Sequence, residues 1–188
     1  MTVRKTSKAA FGRFVENLIK EQKVFGPCAK GDRFEFELLD SADQLRLDYD
    51  VTLQPPGRKY LLPPVETLLT YQVGGKYQSV FGQDKFVLLG VHPYDMAAIN
   101  QTDELFRQDQ YDKHYMDRRK QMTIVALDVV TPSVNVFAAS MGTATVDKGY
   151  DMLLTVLEDG SILADTATEK GQALLKETGS MPYISCTD

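Results

Sequence analysis

The chain has 188 residues, enough for one domain with a sizeable core, and its 43% hydrophobic and 25% charged residues are the balance of a globular protein. Its formal net charge of −5 offers no basic surface to nucleic acid or to an anionic membrane. No apolar run approaches a bilayer span, and 11–19 is amphipathic and broken by charge, unlike a signal peptide, so a cytoplasmic location without membrane insertion is expected.

Thr6 or Ser7 can cap a first helix with Phe11, Phe14, Val15, Leu18 and Ile19 on its apolar face. Gly26-Pro27 reads as a stop, and Lys30-Gly31-Asp32 as a turn before a half-buried strand over 33–39. Residues 41–45 fit one short helical turn. In 54–65, Pro55, Pro56, Pro63 and Pro64 interrupt backbone hydrogen bonding, while Tyr60, Leu61 and Leu62 supply apolar surface to hide. An extended segment packed on the domain is expected there, then a helix over 66–71 that Gly74-Gly75 ends.

The rest of the chain is organised around KFVLLGVHPYDMAAINQTDELF, residues 85–106. Its first half is a continuous apolar run, the mark of a buried strand, and its second half changes to helical spacing. The turn between them is His92-Pro93-Tyr94-Asp95, with Asp95 able to cap the helix. A turn at the carboxyl end of a buried strand is where α/β proteins hold ligands.

Residues 109–120 read as a solvated helix or loop, because three aspartates dilute their basic and aromatic residues. A second buried strand covers 122–130, and the small apolar run 135–142 suggests a tight loop near the core. A third strand covers 150–157, Glu158-Asp159-Gly160-Ser161 is a hairpin turn, and 162–164 is the return strand. Thr168 caps a last helix through Ala173, Leu174 and Leu175, with Gly179 and Pro182 beyond it. The class is α/β to α+β: a mixed sheet with flanking helices in a single domain spanning 1–188.

Residue chemistry alone names no reaction. There is no glycine-rich dinucleotide fingerprint, P-loop or nucleophile elbow. Two cysteines, Cys28 and Cys186, and two histidines, His92 and His114, stand at no ligand spacing, so no catalytic residue and no metal site is expected. Both cysteines are expected as free thiols, Cys28 in a loop after Gly26-Pro27. His92 could act as a base, Asp128 could bind a ligand or cation at a strand end, and Ser140 and Gly142 offer backbone N–H groups to an anion.

In order and spacing, five stretches resemble one protein group: 26–69 (GPCAKGDRFEF…PPVETLL), 87–106 (VLLGVHPYDM…DELF), 118–130, 140–160 and 168–175. The group is the iron–sulfur electron-transfer subunit found in sulfhydrogenase, where it is the beta subunit, and in anaerobic sulfite reductase. The resemblance runs from about Leu18 to Asp188. It implies an amino-terminal domain followed, in relatives, by a ferredoxin-like domain with two 4Fe–4S clusters, so this chain is expected to be the amino-terminal part of a longer subunit, its ferredoxin-like part absent. It also implies partners within a redox complex, either a flavin- or NAD(P)-binding subunit or a catalytic one.

The departures matter as much. Relatives typically read Arg-Pro-Cys-Asp at the turn, a cysteine after the second strand, and Cys-Phe-Cys near Ser-Met-Gly. Here those four thiolate positions are Tyr94, Val129, Val136 and Ala138, none of them an iron ligand. The resemblance thus implies a degenerate cluster site and no cofactor in this chain, with the clusters expected in the missing carboxyl-terminal region. The four positions are expected to converge, with Tyr94 pointing inward against Val129, Val136 and Phe137 and its hydroxyl bonded to Asp128 or a backbone carbonyl. An alternative use of the vacated volume is a nucleotide, flavin or anion pocket formed by His92, Tyr94, Asp95, Asp128 and Ser140.

Overall fold

In the computed structural model, which describes residues 2–82 and 84–177, Ser7 accepts a hydrogen bond from the Ala10 N–H and opens α1 (Lys8–Glu21). Phe11, Phe14, Val15 and Leu18 of that helix are buried, as their spacing predicts. Gly179, Pro182 and Cys186 lie outside the described residues.

One seven-stranded mixed sheet carries the core. Its centre is β6 (Phe86–Val91) and β7 (Met122–Leu127), paired in parallel. Every residue of β6 is buried, and since alternate side chains point to opposite faces, both faces of the sheet are covered there. On one side β7 runs parallel to β8 (Met152–Val156), which returns through a hairpin as β9 (Ile162–Thr166), and β9 pairs antiparallel with β1 (Thr2–Thr6). On the other side β2 (Lys23–Lys30) runs parallel to β6 and antiparallel to β3 (Arg33–Leu38). The strand order is β1-β9-β8-β7-β6-β2-β3. α3 (Pro93–Arg107) and α4 (Lys113–Gln121) connect β6 to β7, and α5 (Glu169–Glu177) packs against β7 and β9. Thr168 Oγ1 accepts from the Gly171 N–H at the start of α5, the expected cap.

Several expectations need correction. Gly26-Pro27 does not stop a segment but lies within β2. Pro27 can sit there because its carbonyl turns away from β3 to accept from Arg46 N–H (2.8 Å), so its missing N–H belongs to the side that makes no β3 ladder bond. Residues 54–65 are not extended throughout: six residues from the second proline of the first pair form α2 (Pro56–Leu61), with proline in its first turn where no donor is needed. That segment is packed on the domain, as expected, with Leu61 buried and the Tyr60 hydroxyl donating to the Phe36 carbonyl. The helix expected over 66–71 is instead β4 (Leu69–Tyr71), paired with β5 (Tyr77–Ser79) across Gly74-Gly75. Residues 135–142 form surface turns, not a loop near the core, with Phe137 69% exposed.

The segment 109–120 is more than a solvated helix. Tyr115 of α4 is buried and donates its hydroxyl to Asp103 of α3 (2.7 Å), and Arg119 Nε donates to the same carboxylate (2.9 Å). Arg119 also reaches the Gly149 carbonyl (2.6 Å), fastening the end of loop 128–151 to both helices. A buried carboxylate held by two donors is stable only as a set.

Candidate functional site

The turn after β6 begins inside the strand. Gly90 has φ +93°, shifts the register against β7, and leaves its carbonyl free to accept from the Tyr49 hydroxyl (2.8 Å). A Cβ at Gly90 would lie 3.2 Å from Pro27, so both the backbone conformation and the space favour glycine. His92 then takes the N-cap position of α3 in extended conformation without a side-chain capping bond, and Pro93 opens the helix. Asp95 therefore sits within the first turn rather than at the cap.

His92 is 0% exposed. Its ring stacks on that of Tyr49, centroids 3.9 Å apart and planes 2° from parallel. His92 Nδ1 lies 2.5 Å from the Tyr94 hydroxyl, and that hydroxyl is 2.6 Å from the Asp50 carbonyl. A phenol has one proton to give. Given to Asp50, it leaves Nδ1 of His92 as the donor and Nε2 as a bare acceptor, and Nε2 has no hydrogen-bond partner among the described residues. Burial pushes the His92 pKa down to about 4, so the ring is neutral at pH 7, as this tautomer requires. Burial also raises the phenols of Tyr49 and Tyr94.

This chain of groups ties 48–50 to the start of α3. A general base must reach the proton it abstracts, and His92 has no exposed surface; its geometry is that of a neutral, structural histidine. Of the sequence-predicted residues, His92 and Tyr94 meet directly. The Tyr94 hydroxyl has a backbone carbonyl as partner, one of the two expected acceptors, but it is that of Asp50. Asp128 instead accepts from Thr155 Oγ1 (2.5 Å). Val129 lies two residues beyond β7 and Tyr94 three residues beyond β6, so these two positions follow the carboxyl ends of neighbouring parallel strands. Val136 and Ala138 are half-buried in loop 128–151, and Ser140 there is exposed.

Asp95 faces elsewhere. It lines a cleft of about 520 Å³ with Gly57, Arg58, Leu61, Ile99 and Tyr115, between α2, α3 and α4; Asp128 and Ser140 do not line it. Desolvation raises the Asp95 carboxyl to about 7. Among the described residues, no three histidine, cysteine, aspartate or glutamate side chains are grouped to hold a metal ion, and no helix is long and apolar enough to cross a membrane.

Tyr49 and Asp50 are the site residues that sequence reasoning missed. No local pattern marks them: Leu45, Leu47, Tyr49, Val51 and Leu53 alternate, yet residues 47–48 form a turn, Val51 and Leu53 are exposed, and of the five only Tyr49 is buried.

Cys28 is a free thiol, on strand β2 rather than in a loop. Its pKa is raised, first by burial and next by the charge of Glu37. A disulfide reagent should therefore label it slowly at neutral pH in the native chain and rapidly after denaturation. Fast native labelling of Cys28, read by peptide mapping, would contradict this environment.

The chain is similar to sulfhydrogenase 2 subunit beta of Pyrococcus furiosus, 33% identical over 150 residues, which are 80% of this chain and 44% of that protein. It thus spans less than half the length of that curated relative. No protein-family model matches the chain, and no solved structure matches it.

Proposed function

We propose that the chain belongs with the beta subunits of sulfhydrogenases, and with the corresponding iron–sulfur subunit of anaerobic sulfite reductase, as the amino-terminal domain of a cytoplasmic electron-transfer subunit in an oxidoreductase complex. The observation that carries this is the 33% identity to a hydrogenase beta subunit over 80% of the chain. In this reading the domain runs no chemistry of its own. It docks onto a flavin, nicotinamide or catalytic subunit, and a dicluster ferredoxin region supplies the electron path.

The cluster position that relatives hold in this domain is replaced by side chains. Tyr94 supports the reading: its hydroxyl bridges His92 and the Asp50 carbonyl, so the residue that stands for a thiolate serves here to join backbone segments. A cubane cluster needs four thiolates in one small site, and Tyr94, Val129, Val136 and Ala138 provide none.

Anaerobic reconstitution with ferrous iron and sulfide tests the lost site and the correspondence of positions on which this reading draws. The natural chain is expected to retain no stoichiometric iron. The variant Tyr94→Cys, Val129→Cys, Val136→Cys, Ala138→Cys is expected to take up about four irons per chain with the visible absorption of a cluster. Iron bound by the natural chain at that level would refute the lost site. A folded quadruple variant that binds none would refute the correspondence of positions.

A further inference from the structure

We propose that two copies of this chain associate through the open edge of β4, pairing antiparallel about Thr70 to form a four-stranded sheet. The inference stands apart from the electron-transfer reading.

Residues 65–80 concentrate exposed apolar and aromatic side chains: Val65, Leu68, Leu69, Tyr71, Val73 and Tyr77, with Tyr71 71% and Tyr77 76% exposed. Leu69, Tyr71, Val73 and Tyr77 belong to the β4–β5 hairpin, whose strand residues are all exposed. A two-stranded ribbon with no covered face is marginal in water and is stabilised by further strands or a packed surface.

The two edges of the main sheet carry charged side chains and this one does not. β1 carries Arg4 and Lys5, and β3 carries Arg33, Glu35 and Glu37, charges that discourage a further strand. β4 reads Leu-Thr-Tyr and β5 Tyr-Gln-Ser, with no charge on either. The nearest charge on the β4 side, Glu66, is occupied by Arg118.

Register selects the strand and its centre. The Val80 N–H donates to the Leu68 carbonyl (2.9 Å), and Thr70 is opposite Gln78. Backbone groups alternate in direction along a strand, so 68 and 70 face β5 while Leu69 and Tyr71 present theirs to the open edge. A two-fold axis at Thr70 then sets Leu69 against Tyr71 of the second copy, twice over, as hydrogen-bonded pairs. Thr70 meets Thr70 of the second copy as the close pair without backbone bonds. Aliphatic–aromatic and Thr–Thr pairs are favourable cross-strand neighbours, and no like charges meet. Glu66 comes opposite Gly74. The same construction on β5 gives only Tyr77 against Ser79 around Gln78, with less apolar surface. An isologous contact of this kind closes as a dimer.

The test is light scattering or sedimentation of the purified chain over a wide concentration range. The natural chain is expected to be dimeric at high concentration. Thr70→Lys and Thr70→Glu are each expected to be monomeric with unchanged circular dichroism, since the hairpin lies outside the core, and their equimolar mixture is expected to dimerise. In the natural chain the Leu69 and Tyr71 amides are expected to exchange hydrogen more slowly as concentration rises. A natural chain that stays monomeric overturns the proposal, including one whose hairpin is covered only when a different protein is added. So does a dimer that survives in both charged variants, a mixture that stays monomeric, or exchange rates independent of concentration.

Discussion

Tyr49→Ala is expected to destabilise the folded domain by about 3–5 kcal/mol, the range for removing a large buried aromatic ring. Tyr49 is 0% exposed. Its ring stacks on His92 and meets Phe34 and Phe36 near edge-on, at 62° and 88° between planes. Removal leaves a cavity under the turn where β6 becomes α3, and also leaves the Gly90 carbonyl without its donor. Tyr49→Phe keeps the ring and loses only that bond, so it is expected to cost about 1 kcal/mol. Urea denaturation of both variants measures the difference. A Tyr49→Ala loss below that of Tyr49→Phe would show that 48–50 is not pinned by this ring, and the account of the site would fall with it.

Asp95→Asn is expected to stabilise the domain at pH 8 by about 2–4 kcal/mol, with the gain vanishing near pH 4. The Asp95 carboxyl is raised from 3.8 to about 7 by burial, so the folded state holds its proton more tightly than the unfolded state does. The stability this gives is complete below the unfolded value and is lost as pH rises through about 7. Above that, folding carries a desolvated carboxylate, and the neutral amide removes the penalty. The first-turn position in α3 works the other way, since a helix amino terminus favours negative charge, and holds the gain toward the lower part of that range. His92 has the opposite slope: its folded value of about 4 lies below its ordinary 6.5, so its contribution is present above 6.5 and is lost as pH falls through about 4. In the natural chain the two slopes oppose each other across that window. In Asp95→Asn only that of His92 remains, and stability should climb from pH 4 to 6.5 and then level. An Asp95→Asn gain that is the same at pH 4.5 and pH 8 would rule out a titrating Asp95.

Where an element's identity depends on neighbours in the chain, the sequence was sufficient. β6 and β7 are continuous apolar runs and were legible as buried strands; α1 and α3 show their buried faces at helical spacing; the β8–β9 hairpin announces itself through Asp159-Gly160. The turn at 92–95 was legible for the same reason, since an apolar run, a proline and a change of period all sit within a few residues. The similarity to a hydrogenase beta subunit likewise followed from the order of short stretches, which needs no coordinates.

Tertiary contact decided the rest. β1 carries only Val3 as a large apolar residue and is a strand because β9 pairs with it across the whole chain. β2 contains a Gly-Pro that local rules read as a stop, and it continues because the proline faces away from the β3 ladder. Thr70 and Tyr71 favour a strand, but three residues are too short a run to read locally, and pairing with 77–79 makes them one. The site shows the same division. His92 and Tyr94 are two residues apart, but the histidine is neutral because it is buried, with the Tyr49 ring stacked on it, and its tautomer is fixed by the carbonyl of Asp50 through the Tyr94 hydroxyl, both more than forty positions earlier. A side chain's pKa, tautomer and solvent access are set by what surrounds it in space, and those neighbours are in place only once the sheet has brought distant segments together.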